Sequence, residues 1–162
     1  MYGNFYIADM HLGHKNVLKF DNRPFESVSE MDMVLMENWN KRVSHDDDVY
    51  ILGDMCYHSE HRPAWYLKQL KGKKHLIQGN HDGALLKDFE VMGCMDSVDK
   101  MLFVQDSGER IVLCHFPIAE WNGFHKGAYH IYGHIHNRKD GVYQYMRTLE
   151  RAFKRRLYAE WV

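Results

Sequence analysis

Long apolar runs are missing from this chain: no stretch approaches the roughly 20 residues needed to cross a bilayer. Its start, MYGNFYIADMH, has neither the basic opening nor the extended apolar region of a signal peptide. Proline is scarce, with three residues, and so is cysteine. Cys56, Cys94 and Cys114 are odd in number, far apart and in no C-x-x-C spacing, which argues against a disulfide framework or a zinc knuckle and leaves reduced, buried thiols. Excess charge is absent too; a formal net charge of -1 gives no global electrostatic case for nucleic acid. The expectation is a soluble cytoplasmic protein, monomer or homodimer, with no membrane partner.

What the chain does have is histidine, 12 copies in 162 residues. That length fits one domain over 1–162, burying roughly two thirds of the surface its unfolded chain exposes. Apolar runs of strand length recur as NFYIA, DVYIL, KHLIQ, RIVLC and YHIYG. Each is followed at once by polar residues of one chemical kind: Asp9-Met10-His11, Gly53-Asp54, Gly79-Asn80-His81-Asp82, His115, and Gly133-His134-Ile135-His136. In layered α/β folds the buried strands read as continuous apolar runs, and ligands gather beyond their carboxyl ends. Five strand ends are therefore expected to converge on one site.

Helices fall between the strands. SVSEMDMVLMENWNKRV opens with Ser27 or Ser29 as a cap and sets Met31, Val34, Leu35, Trp39 and Val43 at helical spacing. A second helix is expected over about 61–70, with Pro63 near its start where a missing N–H costs nothing. DGALLKDFEVM reads as a third, headed by Asp82 or Gly83. MDSVDKMLFVQDSGERIVLC reads as strands joined by the Asp106-Ser107-Gly108 turn.

Asp9, His11, Asp54, Asn80, His115, His134 and His136 supply imidazoles, carboxylates and one amide oxygen, with no thiolate among them. That set suits Mn²⁺, Fe²⁺, Zn²⁺ or Ni²⁺ rather than a structural zinc site. Seven ligands are too many for one ion. They suit two ions about 3.5–4 Å apart that share a carboxylate, as in phosphatases and nucleases. In D-x-H and H-x-H, residues two apart on an extended segment point the same way, so Met10 and Ile135 should face the core.

D-x-H, G-D, G-N-H-D, H and G-H-x-H, in this order, resemble the calcineurin-like metallophosphoesterase superfamily. DMHLGHKNVLKFDNRPF and MENWNKRVSHDDDVYILGDM resemble its small single-domain bacterial and phage branch. The resemblance implies an α/β fold, a four-layer αββα sandwich of two mixed β-sheets flanked by helices. It implies Asp9, His11 and His136 on a first metal, Asn80, His115 and His134 on a second, and Asp54 bridging, with Mn²⁺ the first choice of ion. A hydroxide between the ions would attack phosphorus, because coordination lowers the pKa of water toward about 7. His81 would be the acid that protonates the departing oxygen. The activity expected is a phosphoesterase, first a phosphodiesterase on nucleotide or nucleic-acid substrates. The alternatives are a phosphomonoesterase and a non-catalytic binding scaffold.

Four further residues carry weaker signals. His14 is placed either against substrate or on the surface. His58 is a candidate to orient His81 or a ligand through its second nitrogen. Arg23 is a candidate to fork onto a phosphate, against an ordinary surface ion pair. Asp82 is either a helix cap or a support for the site. Protein phosphatases of the superfamily carry an aspartate that steadies the acid histidine, but here Tyr57 stands at that place, so the partner of His81 is undefined. Past G-H-x-H, helical spacing of Tyr143, Met146, Leu149, Phe153, Leu157 and Trp161 competes with a strand around Arg151 to Leu157 that the resemblance implies. An altered terminus would open a sheet edge to dimerisation. Lys154, Arg155 and Arg156 read as a short basic run.

Overall fold

The structure is a computed structural model that describes residues 2–153. Strands β1 (Asn4–Ile7), β2 (Asp48–Ile51), β3 (Lys73–Ile77) and β4 (Ser97–Asp99) pair in that order, each parallel to the next. Side chains alternate across a strand, so each apolar run serves two cores. Phe5, Ile7, Val49, Ile51 and Leu76 join the helices on one face, whereas Tyr6, Ala8, Tyr50, Leu52 and Ile77 join a cluster with the second sheet.

That second sheet contains β5 (Met101–Asp106), β6 (Glu109–Cys114) and β7 (Tyr129–Ile131). β5 and β6 run antiparallel around Ser107 and Gly108, both at positive φ, as a two-residue hairpin turn demands. β6 and β7 are parallel. Ile111, Leu113, Tyr129 and Ile131 face the first sheet; Val112, Ala128 and Tyr132 pack on the opposite side with Trp121 and Phe124. Only this second sheet is mixed among the described residues. The first is wholly parallel because helical crossovers, not hairpins, join its strands.

Of the helices, α1 (Val17–Phe20) is a single turn, and α2 (Val28–Arg42) begins at Ser27, whose hydroxyl accepts from Glu30 N at 3.1 Å. Such a cap contributes about 1 kcal/mol. Met31, Leu35 and Trp39 are buried as their spacing predicts, and the Trp39 indole donates to Lys71 O at 2.9 Å. Helix α3 (Pro63–Leu67) is shorter than the expected 61–70 and carries proline in its first turn. The single helix expected in DGALLKDFEVM is broken into a 3₁₀ turn (Leu85–Lys87) and α4 (Phe89–Met92). Asp88 causes the break: its backbone turns extended and its carboxylate accepts from Glu90 N at 2.9 Å, capping α4.

Past β7 the chain is helical, α5 (Val142–Phe153), and buried Met146 with Tyr143 and Leu149 covers the Trp121–Phe124 cluster. Apolar contact with the second sheet thus settles the competition for helix as far as Phe153. Lys154, Arg155, Arg156, Leu157 and Trp161 lie outside the described residues. No helix among the described residues is long and apolar enough to cross a membrane.

Candidate metal centre

The parallel strands all deliver their carboxyl ends to one edge of the molecule. The loops leaving β1, β2, β3, β6 and β7 carry Asp9 and His11, Asp54, Asn80 and His81, His115, and His134 and His136 in turn. These loops are not extended, contrary to the simple reading of D-x-H and H-x-H. Asp9, His11, Asp54 and His136 hold φ of 50–51° and His134 holds 69°. Left-handed backbone costs an L-residue roughly 1–2 kcal/mol, and aspartate and histidine tolerate it better than most. The outcome for the intervening residues is the expected one, because Met10 and Ile135 are buried in the two flanking cores.

The strained loops are zipped together. Asp9 N donates to Gly53 O at 3.1 Å, His11 N to Asp54 O at 3.0 Å, and Leu12 N to Met55 O at 2.9 Å. His134 N donates to Asp9 Oδ2 at 2.9 Å, tying the fifth loop to the first. The backbones approach so closely that a Cβ on Gly79 would collide with Asp54 Oδ1, and one on Gly133 would lie 2.6 Å from Asp9 Oδ2.

Ligand-type atoms of Asp9, His11, Asp54 and His136 all lie within 4.8 Å of one another. His11 Nε2 and His136 Nε2 are 3.1 Å apart, and Asp9 Oδ1 is 3.7 Å from His136 Nε2. Asp54 faces both ways, with Oδ2 3.9 Å from His11 Nε2 and 3.5 Å from His115 Nε2. On its far side Asn80 Oδ1 stands 3.0 Å from His115 Nε2 and 2.9 Å from His134 Nδ1. The seven residues singled out by sequence therefore form one continuous cluster with Asp54 at its centre.

The surroundings select which nitrogens face inward. His115 Nδ1 donates to Leu52 O at 2.7 Å, which leaves Nε2 as a lone pair. His136 Nδ1 donates to the Asp21 carboxylate at 2.9 Å; burial opposes charge on this ring, but Asp21 and Asp9 overcome that and raise its pKa. The His115 Nε2 lone pair thus faces the Asn80 oxygen, and His11 Nδ1 and His14 Nδ1 are buried with no hydrogen-bond partner. Burial pushes Asp9 up to about 6, against the pull of His136 and His115. Burial, with His136 and Arg23 nearby, pushes His11 down to about 3. Buried carboxylates and imidazoles that oppose one another in this way suit a divalent cation, which neutralises the first and accepts from the second.

His81 sits at the rim. Its backbone N–H donates to Asp54 Oδ1 at 2.8 Å, and its ring Nε2 lies 3.9 Å from Asp54 Oδ2. The Tyr57 ring packs against it, tilted, with centroids 4.2 Å apart. His58 is exposed and meets the Tyr57 ring edge to face, centroids 4.2 Å apart, on a ring that itself packs against His81. His14 is buried, not on the surface; its ring lies 5.5 Å from that of His11 and 4.9 Å from that of Tyr57. Burial, then the charges of His81 and His58, hold its pKa below the ordinary histidine value.

Asp82 proves to be a support and not a cap. Fully buried, its carboxylate accepts from Gly79 N at 2.7 Å, Asp54 N at 3.0 Å and Met55 N at 3.3 Å, pinning the second loop to the third. Arg23 departs from both of its expected roles. Its side chain is buried and forks onto the carbonyls of Asp9 and Met10, each at 2.7 Å, with Asp21 Oδ2 at 3.3 Å. Asp21 itself was not legible as a site residue, since a lone aspartate after a short apolar run carries no signal until tertiary structure sets it beside His136. Burial opposes its charge, but His136 and Arg23 overcome that and hold its carboxyl below the usual range. Asp32 escaped notice for the same reason: from inside α2 it accepts from Gly13 N at 3.0 Å and Tyr66 O–H at 2.9 Å, anchoring the turn between His11 and His14.

No family model matches the chain. Gene 66 protein of Mycobacterium phage L5 is 28% identical over 165 residues, covering 85% of this chain and 79% of its own. A solved structure, a protein of unknown function AQ665 from Aquifex aeolicus, shares the fold at a TM-score of 0.68 and 24% identity, over 87% of this chain and 83% of that one. Uncharacterized protein MJ1445 of Methanocaldococcus jannaschii is 31% identical over 132 residues, which cover 80% of this chain and 67% of the relative. The chain belongs to the family of that archaeal protein.

Proposed function

We propose that the chain is a dinuclear-metal phosphoesterase of the calcineurin-like metallophosphoesterase type, and first a phosphodiesterase on nucleotide or nucleic-acid substrates. One observation carries this reading: seven ligand-type side chains on five strand-end loops are centred on Asp54, with His81 beside them at the rim. Asp9, His11 and His136 would hold one cation, Asn80, His115 and His134 the other, and Asp54 both. Mn²⁺ is the first choice, with Fe²⁺, Zn²⁺ and Ni²⁺ also suited to imidazole and carboxylate. Bound there, such ions supply a water acidic enough to react near neutrality and a positive field for the phosphoryl oxygens.

The protein's own groups do the rest. Asp54 holds its loop and His81 together through Oδ1 while leaving Oδ2 to the centre. His81 Nε2 carries the proton that a departing alkoxide takes, and Tyr57 restricts the ring to the orientation that delivers it. The fold that goes with this reading is the four-layer αββα sandwich. Support comes from the three apolar clusters, one under α2 and α3, one between the sheets and one under α5. Three free cysteines fit a reducing cytoplasm.

Metal-reconstituted protein assayed on bis-p-nitrophenyl phosphate beside p-nitrophenyl phosphate tests the proposal. Hydrolysis with a preference for the diester is expected. Preference for the monoester would make the chain a phosphomonoesterase, and no hydrolysis of either with Mn²⁺, Ni²⁺, Zn²⁺ or Fe²⁺ would make it a binding scaffold.

A further inference from the structure

Residues 21–23 touch both loops that carry Asp9, His11 and His136. The Arg23 guanidinium donates to Asp9 O and Met10 O, the two carbonyls that precede His11 in the left-handed loop after β1. On the other side the Asp21 carboxylate accepts from His136 Nδ1, and Asp21 O accepts from Asn137 Nδ2, so the loop after β7 is held by the same short segment. Asp21 and Arg23 are ion-paired at 3.3 Å with both side chains buried. We propose that Asp21 and Arg23 are positioning residues acting as one unit, which sets Asp9, His11 and His136 around a single cation.

The physical case has two parts. Carbonyls buried in the loop after β1 cannot join a strand ladder and are costly to leave unsatisfied. A planar guanidinium can satisfy two at once, whereas a lysine ammonium lacks that fork. Separately, a carboxylate at His136 Nδ1 fixes the proton there and keeps Nε2 free to bind metal. The proposal rests on the metal-binding reading above, and on no particular substrate.

Co²⁺ titration of the full chain, read by equilibrium dialysis and by the visible spectrum of bound Co²⁺, tests it without reference to turnover. Wild type should take up two equivalents. Asp21→Ala and Arg23→Met should each weaken one equivalent by roughly 10–100-fold, shift the spectrum of that ion and leave the other equivalent in place. Asp21→Asn keeps an acceptor for Nδ1 and should lose less; Arg23→Lys should fail to restore binding. The double variant should bind no more weakly than the worse single one, as expected of groups in one network. Circular dichroism and thermal melting check each fold, and if Arg23→Met does not fold, Asp21→Asn and Arg23→Lys carry the test. Wild-type affinity for both equivalents in Asp21→Ala and Arg23→Lys would overturn the proposal, as would losses that multiply in the double variant. Failure of wild type to bind Co²⁺ at all would instead overturn the metal-binding reading, and the proposal with it.

Discussion

His75, in the body of the parallel sheet, and His11, beyond its carboxyl edge, are surrounded according to opposite principles. His75 lies between a hydroxyl and a carboxylate, with Nδ1 3.0 Å from Ser97 Oγ and Nε2 2.8 Å from Asp48 Oδ1, and Tyr50 stacks on its ring at 4.9 Å. Each of its nitrogens has a partner. His11 has one nitrogen 3.1 Å from another imidazole nitrogen and the other buried with no partner. His130 belongs with His75: fully buried, it donates from Nδ1 to Val112 O and accepts at Nε2 from Ile118 N. A histidine whose two nitrogens are both answered is complete within the fold. His11 instead turns Nε2 toward the ligand-type atoms of Asp9, Asp54 and His136, a setting that suits a cation.

That contrast separates stability from chemistry, and substitutions can break it. The largest effect is expected at the rim: His81→Ala should keep bound metal and lose roughly 10²–10⁴-fold in turnover on an unactivated alkyl phosphodiester. Steady-state kinetics with metal analysis of the same sample checks this, and Tyr57→Ala should give a smaller loss of the same sign. In the sheet body the pattern should invert. His75→Ala should cost about 1–3 kcal/mol of unfolding free energy by leaving Asp48 and Ser97 without their partner, while metal stoichiometry and turnover stay at wild-type values. Urea denaturation beside the assay would reveal any crossover between the two.

Acid should sharpen the comparison further. Burial holds the His130 pKa below its ordinary value, so the unfolded chain binds the proton more readily than the folded one. Its contribution to stability is full above about pH 6.5 and is lost as pH falls from there toward the folded pKa, by at most about 1.4 kcal/mol per pH unit. His130→Gln should flatten that portion of the stability profile measured by denaturant titration at several pH values.

Much of this was legible in the residue order. Apolar runs such as DVYIL read as strands, the residues following them were expected to meet, and a helix was expected to start at Ser27 or Ser29, because period and capping are local properties; the structure takes Ser27. What escaped depended on neighbours remote in sequence. Arg23 reads as a surface or phosphate-binding residue until the carbonyls of Asp9 and Met10 turn inward to meet it. Asp21 is silent without His136, which lies 115 positions away. The break at Asp88 reflects a local competition that helical spacing hid, since its carboxylate serves α4 better as a cap than as an interior residue. Left-handed backbone at Asp9 and His11 was likewise hidden, for the short motif is equally compatible with an extended strand end.

The central claim is that the carboxyl-edge cluster holds two divalent cations joined through Asp54. Counting Mn²⁺ per chain by equilibrium dialysis, in wild type, Asp54→Asn and His75→Ala together, tests it most directly. The account predicts two ions in wild type and in His75→Ala, and no more than one in Asp54→Asn. A wild-type chain that binds none, or an Asp54→Asn chain that keeps both, would contradict it.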